Sequence, residues 1–411
     1  MKIAVYSHYF EPEIGAPSAR IFDMASNWVT SGDSVEVVTC FPNHPTGQIY
    51  EGYRSSSYAS EDLKGIKVHR HWTYITPNKG FIKKTLGHLS YVPSAMLTSS
   101  RRLQSPEVFI GSSPTLFAAQ AAAMAASRYK APFIMEVRDL WPAIFVELGV
   151  LKNPSLIRML EYWELSLYRR AARIVTVTER FREDLIRRGI PENKIATITN
   201  GADVDFWSHA SAKPGLREEL GLAGKCVALY IGAHGISQGL RAILLAADRL
   251  KERRDVAFVF VGEGAEKESL VAEAKRRGLE SVIFLDPVDK LKVRDFYALA
   301  DLCLVPLRDI PGFDAFIPSK MFEMMAMSCP IVGSVRGEAA EILKRSGAAE
   351  LVSPEDSEGI AATVAFLADN AEKRARMGVA GRVFVERHYS RKALAERYRA
   401  VLAAAISEQT H

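Results

Sequence analysis

The chain is short of cysteines, long apolar runs, a dinucleotide glycine fingerprint and, over one stretch, acidic side chains, and each shortage removes a class of protein. Only four of its 411 residues are cysteine. Cys40, Cys226, Cys303 and Cys329 lie scattered in or beside apolar strand-like runs, without the paired spacing of a zinc site or a redox dithiol. They read as buried packing residues. No run approaches the ~18 uninterrupted apolar residues of a membrane span, and Met1-Lys2-Ile3-Ala4-Val5-Tyr6 enters a strand instead of a signal peptide. The expectation is a cytoplasmic protein. Gly-x-Gly-x-x-Gly does not occur, and internal repeats and low-complexity tracts are missing too.

Acidic residues are absent from Leu63 to Gln104, a segment with eight Lys and Arg mixed with Trp72, Tyr74, Phe81, Ile82, Leu86, Leu89 and Leu97. Basic charge is concentrated in the first half, where residues through Thr199 carry 24 Lys and Arg against 18 Asp and Glu. A helix over Phe81–Thr98, kinked at Pro93, puts Ile82, Leu86 and Leu89 along one face, with Lys79, Lys83 and Lys84 at its start and Arg101 and Arg102 beyond its end. Such a segment suits an anionic membrane surface. A core-facing helix with a solvated basic face is the alternative. The segment has no nucleic-acid-binding motif, so nucleic acid is not an expected partner.

What is present is a soluble composition, 48% hydrophobic and 25% charged, in a chain long enough for two domains of roughly 200 residues. Short apolar strands alternate with amphipathic helices throughout. Lys2–Tyr6, Ser34–Cys40, Lys67–Trp72, Val108–Gly111, Phe133–Val137 and Ile174–Val177 form one series. After Asn200-Gly201 a second begins, with Cys226–Ile231, Ala257–Val261, Ile283–Leu285, Leu302–Pro306 and Pro330–Gly333. The pattern predicts an α/β protein of two doubly wound parallel-sheet domains, 1–200 and 201–390, with ligands at the carboxyl ends of the strands. A closing helix, within 391–411, is expected to return to the first domain.

The most informative stretch runs from Ile317 to Gly333. Ser319 precedes a helix on which Lys320 and Glu323, three residues apart, are the charged side chains amid Met and Phe. A helix N-terminus with a lysine beside it suits a pyrophosphate, and a carboxylate one turn on can accept hydrogen bonds from sugar hydroxyls. A merely capped amphipathic helix is the alternative. Other loops that follow strands include Gly15 before the first helix, the charged run Glu136-Val137-Arg138-Asp139 and the turn Gly262-Glu263-Gly264, which has room for a base or ribose. Asp286-Pro287-Val288 can present backbone groups to a base edge.

Taken together, the tandem halves, Asn200-Gly201-Ala202-Asp203, Gly262-Glu263-Gly264 and Pro318-Ser319-Lys320 with Glu323 resemble glycosyltransferase family 4, retaining enzymes of the GT-B fold. Arg138-Asp139-Leu140-Trp141-Pro142 and Pro42-Asn43-His44-Pro45-Thr46-Gly47 are similar to the O-antigen and capsule transferases of the fucosamine-transferase type. The resemblance implies two Rossmann-like domains facing a central cleft. It further implies transfer of an N-acetylated amino or deoxy sugar from a UDP-sugar to a polyprenyl-pyrophosphate-linked saccharide at the inner membrane face, without metal. In that scheme Gly15, Gly262, Glu263, Gly264, Asp286, Val288, Ser319, Lys320 and Glu323 bind the donor. His44, Arg138 and Asp139 face the acceptor, and Lys320, Glu323, Arg138 and Asp139 serve the chemistry.

Departures from the family pattern accompany the matches. Ala315, with Asp314 beside it, stands where many members carry a Glu, and Ala233 and Gln238 stand where an Arg and a Lys commonly hold the diphosphate. Arg138 replaces a frequent His. Asp203-Val204-Asp205 resembles an Asp-x-Asp metal site but falls at the domain junction. Two rivals follow: a nucleotide-sugar epimerase of the same fold, and a catalytically silent nucleotide-sugar-binding relative.

Overall fold

The computed structural model describes the chain except residues 14, 45, 76–80, 100, 101, 114, 148, 150, 209–214 and 411, and leaves the side chains at 81–84, 98, 99, 144, 147, 311 and 410 undescribed. The chain divides into one unit of Met1–Thr199 with Arg391–His411, and a second of Asn200–Ser390.

The first unit is built on β1 (Lys2–Tyr6), β2 (Ser34–Cys40), β3 (Tyr58–Leu63), β4 (Ile66–His71), β5 (Val108–Ser112), β6 (Phe133–Val137), β7 (Arg173–Thr176) and β8 (Ile195–Thr197), in the order β3-β4-β2-β1-β5-β6-β7-β8. All pairs are parallel except β3–β4. Strands β1 and β5 are buried almost throughout, as both faces of a parallel sheet are covered by helices. The helix Arg391–Thr410 belongs to this unit. Its Tyr398 stands edge-on to Trp28 at 5.3 Å, and the Trp28 indole N–H donates to the Ala395 carbonyl at 3.0 Å, so both large rings are buried with their neighbours Leu394 and Leu402.

The second unit carries β9 (Cys226–Ile231), β10 (Val256–Val261), β11 (Val282–Leu285), β12 (Leu302–Pro306), β13 (Ile331–Ser334) and β14 (Ala349–Val352), all parallel, in the order β11-β10-β9-β12-β13-β14. The order reverses beside β9, between β10 and β12. Such a reversal splays the loops at the carboxyl ends of the two central strands and opens a ligand crevice.

Three strands escape the sequence pattern. β3 reads Tyr-Ala-Ser-Glu-Asp-Leu, a half-exposed edge strand with little apolar signal, joined to β4 by Lys64 and Gly65, both at positive φ as a tight hairpin requires. β8 and β14 are short edge strands. The segment Phe81–Ser99 is helical, with Pro93 inside it. Leu86 and Leu89 on that helix are about half exposed, whereas Tyr91 and Ala95 are fully buried, so the helix faces the core with its other side. Lys79 and Arg101 lie outside the described residues, as do the side chains of Phe81, Ile82, Lys83 and Lys84. The Arg102 guanidinium lies 3.8 Å from the centre of the Tyr58 ring, so it is a stacked side chain as well as a surface cation.

Candidate functional site

Lys320 and Glu323 share a face of the helix Lys320–Ala326 because every other position there is apolar and buried: Met321, Phe322, Met324, Met325 and Ala326 all turn inward. The two charged residues remain partly exposed. Lys320 reaches the carboxyl end of β9. Its Nζ lies 3.8 Å from the centre of the Tyr230 ring and 3.4 Å from the Ile231 carbonyl. A hypothetical β-carbon on Gly232 would lie 3.4 Å from the same Nζ, so the ammonium sits directly against the backbone of the loop after β9. Glu323 Oε2 accepts a long hydrogen bond, 3.4 Å, from the Tyr297 hydroxyl. Ser319 makes no capping bond with its side chain.

Their environment brings the two titrations together. Burial pulls the Lys320 ammonium down to about 7, against the smaller opposing influences of Cys303 and Glu323. Burial pushes Glu323 up to about 7, opposed by Lys290, the Tyr297 hydrogen bond and Lys320. A site needing Lys320 charged loses function as pH rises through that value, and one needing Glu323 ionised loses it as pH falls through it. The expected kcat/KM profile is therefore a bell peaking near neutrality, with apparent constants that belong to the pair. Lys320→Arg should flatten the alkaline limb and keep the acid limb. A profile flat over the three pH units around neutrality contradicts the assignment.

The turn after β10 packs onto the loop after β9. A β-carbon on Gly262 would fall 1.9 Å from the Gly232 carbonyl oxygen, and one on Gly264 would fall 2.4 Å from that of His234, so only glycine permits this approach. The His234 N–H donates to the Glu263 carbonyl at 2.8 Å, fixing the two loops together. Glu263 and Asp286, both exposed, are tied to one cation: Lys267 Nζ lies 3.2 Å from Glu263 and 2.8 Å from Asp286. Val288 follows on the same loop, partly buried.

Several residues of this site were not expected from sequence. His234 is fully buried beside Tyr230, Phe260 and Phe284, and neither ring nitrogen has a hydrogen-bond partner among the described residues. Burial, and then Lys267, lower its pKa to about 4, so it is a neutral ring at pH 7. Arg308, just past β12, donates its backbone N–H to the Ser237 carbonyl at 3.0 Å; its Cγ lies against Gly239 and its half-exposed guanidinium lies 3.8 Å from Glu355. Lys267 bridges two carboxylates far apart in the chain. Asp314, beside the family position held by Ala315, is engaged by Arg336 at 2.8 Å. Asp203 accepts from the backbone of Asp205 and Phe206 at 3.2 and 3.1 Å, which makes the Asp-x-Asp pair part of a turn.

In the first unit, the loops after β1, β2 and β6 carry the expected side chains. Buried Glu13 accepts from the backbone N–H groups of Asn43 at 2.8 Å and His44 at 2.9 Å, joining the first two loops; burial raises its pKa. The His44 ring packs edge-on to Tyr9 at 5.0 Å. Arg138 Nη1 donates to the Pro17 carbonyl at 3.0 Å, placing it beside the helix Ala16–Thr30, whose N-cap is Gly15. Ser113 Oγ receives the Arg138 N–H at 2.7 Å and that of Asp139 at 3.4 Å. Burial lowers the Arg138 pKa to about 10 and raises that of Asp139. Glu136, expected with them at the sheet's mouth, is instead fully buried in an ion pair with Arg20 at 3.0 Å.

Comparison with known proteins agrees with this geometry. Residues 15–201 match the family model of the glycosyl transferase 4-like domain, and residues 225–370 match that of glycosyl transferases group 1. The putative colanic acid biosynthesis glycosyl transferase WcaI of Escherichia coli K12 is 25% identical over 375 residues, 89% of this chain and 91% of that protein. The α-galactosylglucosyldiacylglycerol synthase of Streptococcus pneumoniae is 26% identical over 45% of this chain and 50% of its own length. Among solved structures, HepE of Anabaena in complex with UDP-glucose superposes with a TM-score of 0.71 at 16% identity, covering 98% of this chain and all of that one, a likeness of fold. The chain is therefore a glycosyltransferase, a glycosyl transferase 4-like domain followed by a group 1 domain, with the two Rossmann-like domains of the GT-B fold.

Proposed function

We propose that the protein transfers a sugar, an N-acetylated amino or deoxy sugar, from a UDP-sugar to a lipid-pyrophosphate-linked saccharide in surface polysaccharide synthesis, with retention and without metal, at the inner face of the membrane. One observation carries the proposal: the Lys320 ammonium held over Tyr230 at the carboxyl end of β9, where the sheet order reverses. Breaking a sugar–diphosphate bond builds negative charge on the departing phosphate, and a preorganised cation in a sheltered site stabilises that charge more than the ground state. Lys320 supplies the cation that Ala233 and Gln238 do not. Glu323, ionised, accepts hydrogen bonds from the sugar. His44, Arg138 and Asp139 of the first unit serve the acceptor. In support, the relative WcaI is named for colanic acid synthesis, the Streptococcus pneumoniae relative for a glycosylated diacylglycerol, and HepE was crystallised with UDP-glucose.

The test is nucleotide release from a panel of UDP- and GDP-sugars, with and without a prenyl-pyrophosphate-linked N-acetylglucosamine acceptor, in EDTA throughout. Acceptor-dependent release from one UDP-sugar is the expected result. Release that requires added divalent metal, or that proceeds only from GDP-sugars, overturns the donor and metal assignments. Isomerised donor formed without acceptor overturns transfer itself.

A further inference from the structure

The first unit holds an open apolar groove of about 750 Å³, with walls that include Trp72, Tyr74, Leu86, Leu89, Phe117 and Trp163. That volume lies within the ~300–1,000 Å³ usual for small-molecule sites. Four of these side chains, Trp72, Tyr74, Leu86 and Leu89, are 44–50% exposed and line the same groove. The polar side chains among them are hydrogen-bonded within the protein. Ser90 Oγ donates to the Gly87 carbonyl at 2.7 Å and accepts the Tyr74 N–H at 2.8 Å, while Gln120 Oε1 accepts the Trp163 indole N–H at 2.9 Å. The groove is thus built to hold an apolar chain.

Its inner end is different. Phe117 is in ring contact with His88 at 6.5 Å, the Tyr9 hydroxyl lies 3.4 Å from His88 Nε2, and His44 packs on Tyr9. The apolar wall therefore adjoins a polar cluster of His88, on the helix Phe81–Ser99, with Tyr9 and His44 on the loops after β1 and β2, at the ligand end of this unit's sheet. The segment 63–104, which supplies Trp72, Tyr74, Leu86 and Leu89, has eight Lys and Arg and no acidic residue in sequence, of which Lys67 and Arg70 pair with Glu36 and Glu61 of neighbouring strands.

We propose that this groove seats the isoprenoid chain of the anionic lipid-linked acceptor, with its head group delivered to His88, Tyr9 and His44. The proposal rests on the lipid-linked acceptor proposed above and adds a discrete seat for one chain, distinct from contact with a flat bilayer. Affinity should then grow with chain length, because each isoprene unit buries further apolar area.

Binding of geranyl, farnesyl and geranylgeranyl pyrophosphate below their micellar concentrations, followed by tryptophan emission, tests this without donor or turnover. Trp72 and Trp163 line the groove, whereas Trp28, Trp141 and Trp207 are buried elsewhere. Affinity is expected to rise at least about tenfold from the shortest to the longest chain. Leu89→Glu should abolish that rise. Leu97→Glu, on the same helix at 77% exposure but outside the groove, should leave it intact. Equal affinity for all three lipids and inorganic pyrophosphate overturns the groove assignment, as does an equal loss in both variants, which would assign the surface to a bilayer. If these fail while transfer to a lipid-linked acceptor persists, the acceptor proposal stands and the groove alone falls; if only water-soluble acceptors are used, both fall.

Discussion

Replacing Lys320 by Ala lowers turnover about a hundredfold or more, with the fold unchanged, as expected when one preorganised donor to a developing charge is removed. The size of the effect follows from what surrounds the side chain. Its Nζ is held over the Tyr230 ring face and against the Ile231 carbonyl, so its position is fixed before substrate arrives. Burial has already made the ammonium costly to keep charged, and an incoming diphosphate repays that cost by pairing with it. Arg308, on the loop after β12, is half exposed and its Nε lies 3.8 Å from Glu355, so its charge already has a partner. Lys320→Arg keeps the charge but not the compact ammonium over the ring, and its activity should fall between native and Ala. Measurement of kcat at saturating donor separates this from weaker binding. A loss under threefold contradicts the role.

The second large effect concerns stability. Glu136→Ala destabilises the first unit by about 3–5 kcal/mol, the usual result of leaving a buried charge without its partner. Glu136 is fully buried: one carboxylate oxygen accepts from Arg20 Nε at 3.0 Å and the other from the Ser112 hydroxyl at 2.6 Å. Arg20, equally enclosed, also donates to the carbonyls of Ile198 and Thr199, both at 2.8 Å, and so fastens the first helix to the end of β8. Removing the carboxylate strands a guanidinium inside the protein. Glu136→Gln retains the hydrogen-bonding shape but not the charge, and should cost less. Urea unfolding of the two variants measures the difference, and a cost below about 1 kcal/mol for Ala would mean that the pair is relaxed or hydrated.

This ion pair also shows where sequence stops being sufficient. Glu136, Arg138 and Asp139 are consecutive enough to suggest one cluster, but a strand alternates its side chains, and Glu136 is still within β6 and turned into the interior. Its partner, Arg20, is 116 residues away. Local pattern carries no information about such pairs. The alternation of strands and helices was legible because parallel sheets buried on both faces demand uninterrupted apolar runs. The edge strands β3, β8 and β14, half exposed or only three or four residues long, give no such run. At the candidate site, Lys320 and Glu323 stood out because they interrupt an otherwise apolar helix. His234, Lys267 and Arg308 did not, since a lone histidine or surface cation acquires meaning only from the loops it meets. On the helix Phe81–Ser99, periodicity identified the apolar face of Leu86 and Leu89 but not that the face would line an open groove.

The account turns on the charge of Lys320 acting at the diphosphate, and comparing affinities for UDP and UMP in the native protein and Lys320→Ala tests this most directly. The native protein should prefer UDP by about tenfold or more, the worth of a hydrogen bond to a charged group, and the variant should lose most of that preference while binding UMP as before. An unchanged preference in the variant would place the diphosphate elsewhere and contradict the assignment.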